Sequence, residues 1–79
     1  MITKIVAIRI SARSSHASKV QDILTKHGCL IKTRLGCSEA GCTESGLIIL
    51  QTIGLSEDIT KLEKDLNQFD DVSVNSMII

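Results

Sequence analysis

Proline, tryptophan and tyrosine are absent from this sequence, and Phe69 is its only aromatic residue. Core volume must therefore come from isoleucine, leucine, valine and alanine. The missing aromatics also remove the platform on which single-strand binders stack bases. Charge of neither sign is in excess: nine Lys and Arg balance nine Asp and Glu, for a formal net charge of zero. That removes the basic footprint of a nucleic-acid-binding domain. Cysteines number three, an odd count that completes no disulfide framework, and in a reducing compartment they are expected as thiols. Long apolar runs are missing too. The first, after Lys4, is stopped by Arg9 after four residues, short of what a signal peptide needs, and nothing approaches a membrane span. The expectation is a cytoplasmic chain with no nucleic-acid partner and no membrane partner.

What remains is an aliphatic-rich, neutral chain of 79 residues, expected as a single domain over 1–79. A domain this short buries only about 60% of its unfolded surface. Disulfides, metal or oligomerisation are the usual remedies. Such a composition reads as a protein- or small-molecule-binding module.

Apolar, β-branched runs alternate with helical ones. "ITKIVAIRI" (Ile2 to Ile10) reads as a strand, with Lys4, Val6, Ile8 and Ile10 on one face and Ile5, Ala7 and Arg9 on the other. Ser14 or Ser15 is placed to cap the segment that follows. There Ala17, Val20, Leu24 and His27 share a helical face, with Ile23 beside them. Gly28 falls where a helix end takes a residue of positive φ. Cys29 to Leu35 alternates Cys29, Ile31, Thr33 and Leu35 against Leu30, Lys32 and Arg34, a second strand. Gly46 to Gly54 is apolar almost throughout, as a central strand would be. Leu55, Ser56, Glu57 and Asp58 supply a staple residue, a cap and first-turn negative charge for a second helix. That helix carries Ile59, Leu62, Leu66 and Phe69 at helical spacing. "VSVNSMII" (Val72 to Ile79) closes the chain as a fourth strand.

The order β-α-β-β-α-β predicts an α+β, ferredoxin-like sandwich: a four-stranded antiparallel sheet with both helices on one face. The other face has no helix to cover it. If Val6, Ile8 and Ile10 meet the helices, the open side carries Ile5, Ala7 and Arg9, and strand three adds aliphatic groups to either side. An open apolar face of this kind marks an interaction surface. With so small a core, it predicts a homodimer or homotetramer.

Several stretches together resemble a known family: "KIVAIRI", "SKVQDILTKHG", "IKTRLG" followed by a hairpin, and "VSVNS" near the end. They are similar to the iron-only hydrogenase system regulators, stand-alone ACT-like domains related in shape to the C-terminal domain of nickel-responsive repressors. The resemblance runs over nearly the whole chain. It implies an ACT-like fold, oligomerisation and a regulatory role linked to hydrogenase or metal metabolism, and it carries over no ligand or catalytic residue. Two departures stand out. Cys37 and Ser38 follow Gly36 where the family often has an aliphatic residue and a proline. Ser11-Ala12-Arg13-Ser14 fills the turn where ligand-binding ACT domains tend to carry glycine, which argues against amino-acid binding.

"GCSEAGC" (Gly36 to Cys42) offers two thiols for a soft metal. Structural zinc takes four ligands, however, and the loop itself adds only Glu39. Cys29 lies eight residues before Cys37, roughly 26 Å away along an extended strand, with His27 at the same far end. A thioredoxin-like pair would need C-x-x-C at a helix start. The favoured reading is a hairpin tip with free thiols, in which Gly36, Gly41 and Gly46 permit turns of positive φ, so neither metal nor cofactor is expected. A closed site would require the loop of a second copy.

Arg9, Arg13 and Arg34, with Ser11, Ser14 and Ser15, form a candidate anion pocket near the start of the first helix, where backbone N–H groups converge. A solvated turn with a capping serine explains the same residues more simply. Arg9 is the exception, because a charge within a central strand suggests a partner across an interface. His16 and the group Lys61, Glu63, Lys64 and Asp65 read as solvent-facing. No nucleophile, base and orienting group recur together, so an enzyme is not expected. Two functional readings stay open: a ligand-sensing regulatory module with a small-molecule effector, and a structural protein-interaction domain with no small-molecule ligand.

Overall fold

The computed structural model describes residues 1–11, 15–37 and 45–79, without the side chains of Cys37 and Ser45. The elements follow the anticipated order: β1 (Ile2–Ser11), α1 (Ala17–Lys26), β2 (Ile31–Cys37), β3 (Ser45–Gly54), α2 (Ser56–Leu66) and β4 (Val72–Ile78), with a 3₁₀ turn at Gly28–Leu30 before β2. The sheet order is β2-β3-β1-β4, and every neighbouring pair is antiparallel. This is the ferredoxin-like α+β arrangement. β1 lies inside the sheet, with Ile8 opposite both Ile48 of β3 and Val74 of β4.

The two-residue period of β1 divides the layers. Val6, Ile8 and Ile10 are buried with Ile48, Leu50 and Val72 from the neighbouring strands. Val20 and Leu24 of α1 and Ile59, Leu62 and Leu66 of α2 close over them. Each such aliphatic side chain contributes about 1.5–3 kcal/mol on burial. Thr52, also fully buried, donates its hydroxyl hydrogen to the Lys4 carbonyl oxygen at 2.8 Å, which removes the cost of its polar atom. Lys4 turns toward α2 as well and pairs with Glu63 at 3.0 Å.

β2 departs from simple alternation. Ile31 lies opposite Thr52, yet Thr33 lies opposite the adjacent Gln51, so Lys32 is an extra residue in a β-bulge. The bulge turns Ile31 into the core while Thr33 and Leu35 face the other side of the sheet. Cys29 and Leu30 belong to the 3₁₀ turn and not to the strand. At the far end β2 continues through Gly36 to Cys37 and β3 starts at Ser45, so Gly36 and Gly46 are strand residues and not turn positions. The rest of "GCSEAGC", with Gly41 and Cys42, lies outside the described residues.

Several expectations at the helix ends are corrected. Gly28 has no positive φ and starts the 3₁₀ turn, while His27 ends α1. His16 stands at the N-cap of α1 without a side-chain cap bond, and Leu55 stands at that of α2, so Ser15 and Ser56 are not the caps. Ala17 is exposed. His16 does not simply face solvent: its Nδ1 lies 2.9 Å from Asp71 Oδ1, and its ring stacks on Phe69 at 4.6 Å. Glu63 and Asp65 are likewise paired side chains.

Candidate functional site

Alternation that sends Val6, Ile8, Leu50 and Thr52 inward sends Ile5, Ala7, Leu47, Ile49 and Ile53 to the helix-free side, where they are half-buried by their neighbours alone. Leu35 on β2 and Met77 on β4 extend this surface and are 62% and 60% exposed. The polar groups there are neutral; Thr33 donates to Gln51 Oε1 at 2.8 Å. Among the described residues that alternate onto this side of the sheet, Arg9 is the only charge.

Arg9 sits between Leu47 of β3 and Ser73 of β4. A depression of about 350 Å³ there is lined by Ala7, Arg9, Leu47, Ser73 and Asn75. Among the described residues, none of the Arg9, Ser73 and Asn75 side chains makes a hydrogen bond or ion pair. A second depression of about 170 Å³, lined by Ile5, Ala7, Asn75, Ser76 and Met77, adjoins it through Ala7 and Asn75. Together they make a groove that is cationic and hydrogen-bonding at one end and apolar at the other.

The candidate anion pocket drawn from sequence is not brought together as a unit. Arg34 lies opposite the buried Leu50, on the helix side, and donates from Nη2 to Gln21 Oε1 of α1. Arg9 is on the opposite face. Ser11 ends β1, with its backbone N–H on the Asp71 carbonyl at 3.0 Å. Arg13 and Ser14 lie outside the described residues. The companions that Arg9 does have, Ser73 and Asn75, were missed because they are on the last strand. The β4 alternation, laid antiparallel beside β1, was the signal that could have found them.

A different cluster joins the ends of the helices. A depression of about 220 Å³ is lined by Lys26, His27, Cys29, Leu30, Asp58 and Lys61. His27 Nε2 donates to Asp65 Oδ2 at 2.9 Å, and Lys26 Nζ lies 3.7 Å from the same oxygen. The His27 hydrogen bond, helped by the Lys26 charge, holds the Asp65 carboxyl below its ordinary value. Cys29 is an exposed, free thiol. Among the described residues no three His, Cys, Asp or Glu side chains converge as metal ligands, and no helix is long and apolar enough to cross a membrane.

No family model and no curated protein matches the chain. Solved structures do resemble it. The uncharacterized protein TM1266 from Thermotoga maritima superposes with a TM-score of 0.88 at 20% identity, over 99% of this chain and 96% of that one. The ACT domain from GTP pyrophosphokinase of Chlorobium tepidum gives 0.72 at 13% identity, over 96% and 97%. CPII from Thiomonas intermedia K12, a nitrogen regulatory PII-like protein bound to ADP, AMP and bicarbonate, gives 0.55 at 16% identity, over 100% and 93%. Likeness at these identities shows the fold, which is ACT-like.

Proposed function

We propose that this chain is a non-enzymatic regulatory module that self-associates through its open sheet face and responds to a small-molecule effector. The observation that carries the reading is that face: Ile5, Leu35, Leu47, Ile49, Ile53 and Met77 form one apolar surface over four strands, interrupted among the described residues by a single charge. The partner is a second copy. Four strands at about 4.8 Å spacing and seven residues at about 3.3 Å give roughly 440 Å² per copy in projection, and two such faces bury roughly 880 Å². That lies below the roughly 1,000 Å² of a stable specific interface and in the range of weak, transient ones. Association of this strength is reversible at ordinary concentrations, which suits a module whose assembly is regulated.

The ACT-like fold supports the reading by analogy, as does the PII-like neighbour that binds ADP, AMP and bicarbonate. The link to hydrogenase or metal metabolism is part of the proposal and rests on the sequence resemblance alone, as a cytoplasmic site of action rests on composition. Sedimentation velocity at micromolar concentration tests self-association: the wild type should run as a dimer or tetramer, and Ile49→Lys as a folded monomer. A wild type that stays monomeric across this range refutes it. A thermal-shift screen of nucleotides, small acids and divalent metals tests the effector. A ligand at 100 times its dissociation constant adds about 2.7 kcal/mol, and a screen without hits favours the structural interaction domain.

A further inference from the structure

The groove on the open face has a polarity that a second copy alone does not satisfy. Arg9 is the only charge among the described residues on that side, so the described residues of an isologous partner bring another Arg9 and no carboxylate. Covering the face would strip water from an unpaired guanidinium, which is costly. An anion held on Arg9 would offset that cost.

We propose that the groove takes an aliphatic monocarboxylate, head group on Arg9 and tail over Ala7 toward Ile5 and Met77, an assignment that rests on the reading of this chain as an effector-responsive module. The head is specified by charge and shape. One guanidinium compensates one negative charge and matches a carboxylate in a two-pronged geometry. A phosphate dianion would keep an uncompensated charge, since no second cation reaches this face among the described residues. The Ser73 hydroxyl and Asn75 amide, unused within the described residues, line the same depression and offer further donors to the carboxylate oxygens.

The tail is specified by what adjoins the head. The second depression shares Ala7 and Asn75 with the first and ends on Ile5 and Met77. Arg9 and Ile5 are four residues apart on one strand, about 13 Å, so the track fits a medium-length chain. Ala7 keeps the floor low between them. Met77, unbranched and 60% exposed, is the adaptable side chain to fold over a flexible tail. Neutralising Arg9 and thickening the apolar face both favour the associated form. By linkage, the carboxylate then tightens self-association and self-association tightens its binding.

The test uses the full chain and octanoate below its micelle-forming range, followed by backbone amide and methyl NMR. Expected are saturable shifts at Arg9, Ser73, Asn75 and Met77 and at the Ile5 methyls, with affinity falling about fourfold per methylene removed from the probe. Octanamide, with the same tail and no charge, should bind at least about tenfold more weakly. Arg9→Gln should bring octanoate down to the octanamide level and leave octanamide unchanged. Ala7→Val, which keeps the charge and raises the floor, should weaken octanoate more than acetate. Equal binding of octanoate and octanamide, shifts confined to another surface, unchanged octanoate binding in Arg9→Gln, or displacement by inorganic phosphate at lower concentration would each overturn the assignment. Sedimentation of the same samples separates the two readings. A chain that binds octanoate through Arg9 yet stays monomeric keeps this inference and loses self-association. A dimer indifferent to octanoate does the reverse.

Discussion

Replacing Lys4 by methionine keeps an unbranched apolar stem and removes the ammonium that faces Glu63. The two charged atoms are 3.0 Å apart, and the side chains are 18% and 15% exposed. At an effective dielectric of 20 the gross attraction is about 5.5 kcal/mol, most of it offset by the desolvation of both groups. The asymmetry lies in what is left behind. Glu63 Oε2 loses its partner and Oε1, buried, has none to begin with among the described residues. Orphaning one member of a buried pair costs about 3–5 kcal/mol. Residual exposure here lowers that to about 2–3 kcal/mol, a large part of the roughly 4–12 kcal/mol available to a chain this size. In urea, at an m-value near 1 kcal/mol/M, the midpoint of Lys4→Met should fall by about 2–3 M. The double variant Lys4→Met with Glu63→Leu should recover most of the loss, because the orphaned carboxylate is gone. If Lys4→Met lies within about 0.5 kcal/mol of wild type, or the double variant is no more stable than the single, the reasoning from an orphaned carboxylate is wrong.

Three further outcomes follow from single contacts. Thr52→Val keeps shape but removes the 2.8 Å bond to the Lys4 carbonyl, and chemical denaturation should show a loss of about 1 kcal/mol. Asp65→Asn should be less stable than wild type at neutral pH and converge with it in acid. Its folded-state pKa is depressed by His27, so the pair's contribution is complete above the ordinary aspartate range and fades as pH falls below about 4. With the Asp65 side chain 36% exposed, the difference should stay under about 1 kcal/mol, and thermal melts from pH 2 to 7 would reveal it. Gly54→Ala places a Cβ 2.6 Å from Leu30 Cδ2, a side-chain tip that must shift, and should cost no more than about 1 kcal/mol. In a Leu30→Ala background the same change should cost almost nothing, and equal cost in both backgrounds would exclude this contact as the cause.

Most of the architecture was legible because it is written in period. Val6, Ile8 and Ile10 alternate strictly, and Ile59, Leu62 and Leu66 recur at helical spacing, so burial in the structure follows the pattern in the sequence. The bulge at Lys32 was not legible. It depends on which β3 residue Thr33 meets, a property of pairing and not of the β2 sequence. The histidine bonds were hidden for the same reason, since His16 meets a residue 55 positions away and His27 one 38 away. Arg9 was conspicuous from the start as a charge inside a central strand. Grouping it with Arg34 failed because two strands that share a sheet can still present their arginines on opposite faces.

The central seat of β1 has a consequence for how the chain is made. Ile8 pairs with Ile48 and with Val74, 40 and 66 residues further on. During synthesis β1 thus stays without either edge partner until β3 has emerged, and lacks the second until β4 has followed. Loop closure over such spans is what slows folding of small domains. Until it is complete, an aliphatic strand with both edges open is available to any neighbouring chain. Lys4 and Arg9, one on each face of that strand, are the charges it then carries to discourage the wrong pairing.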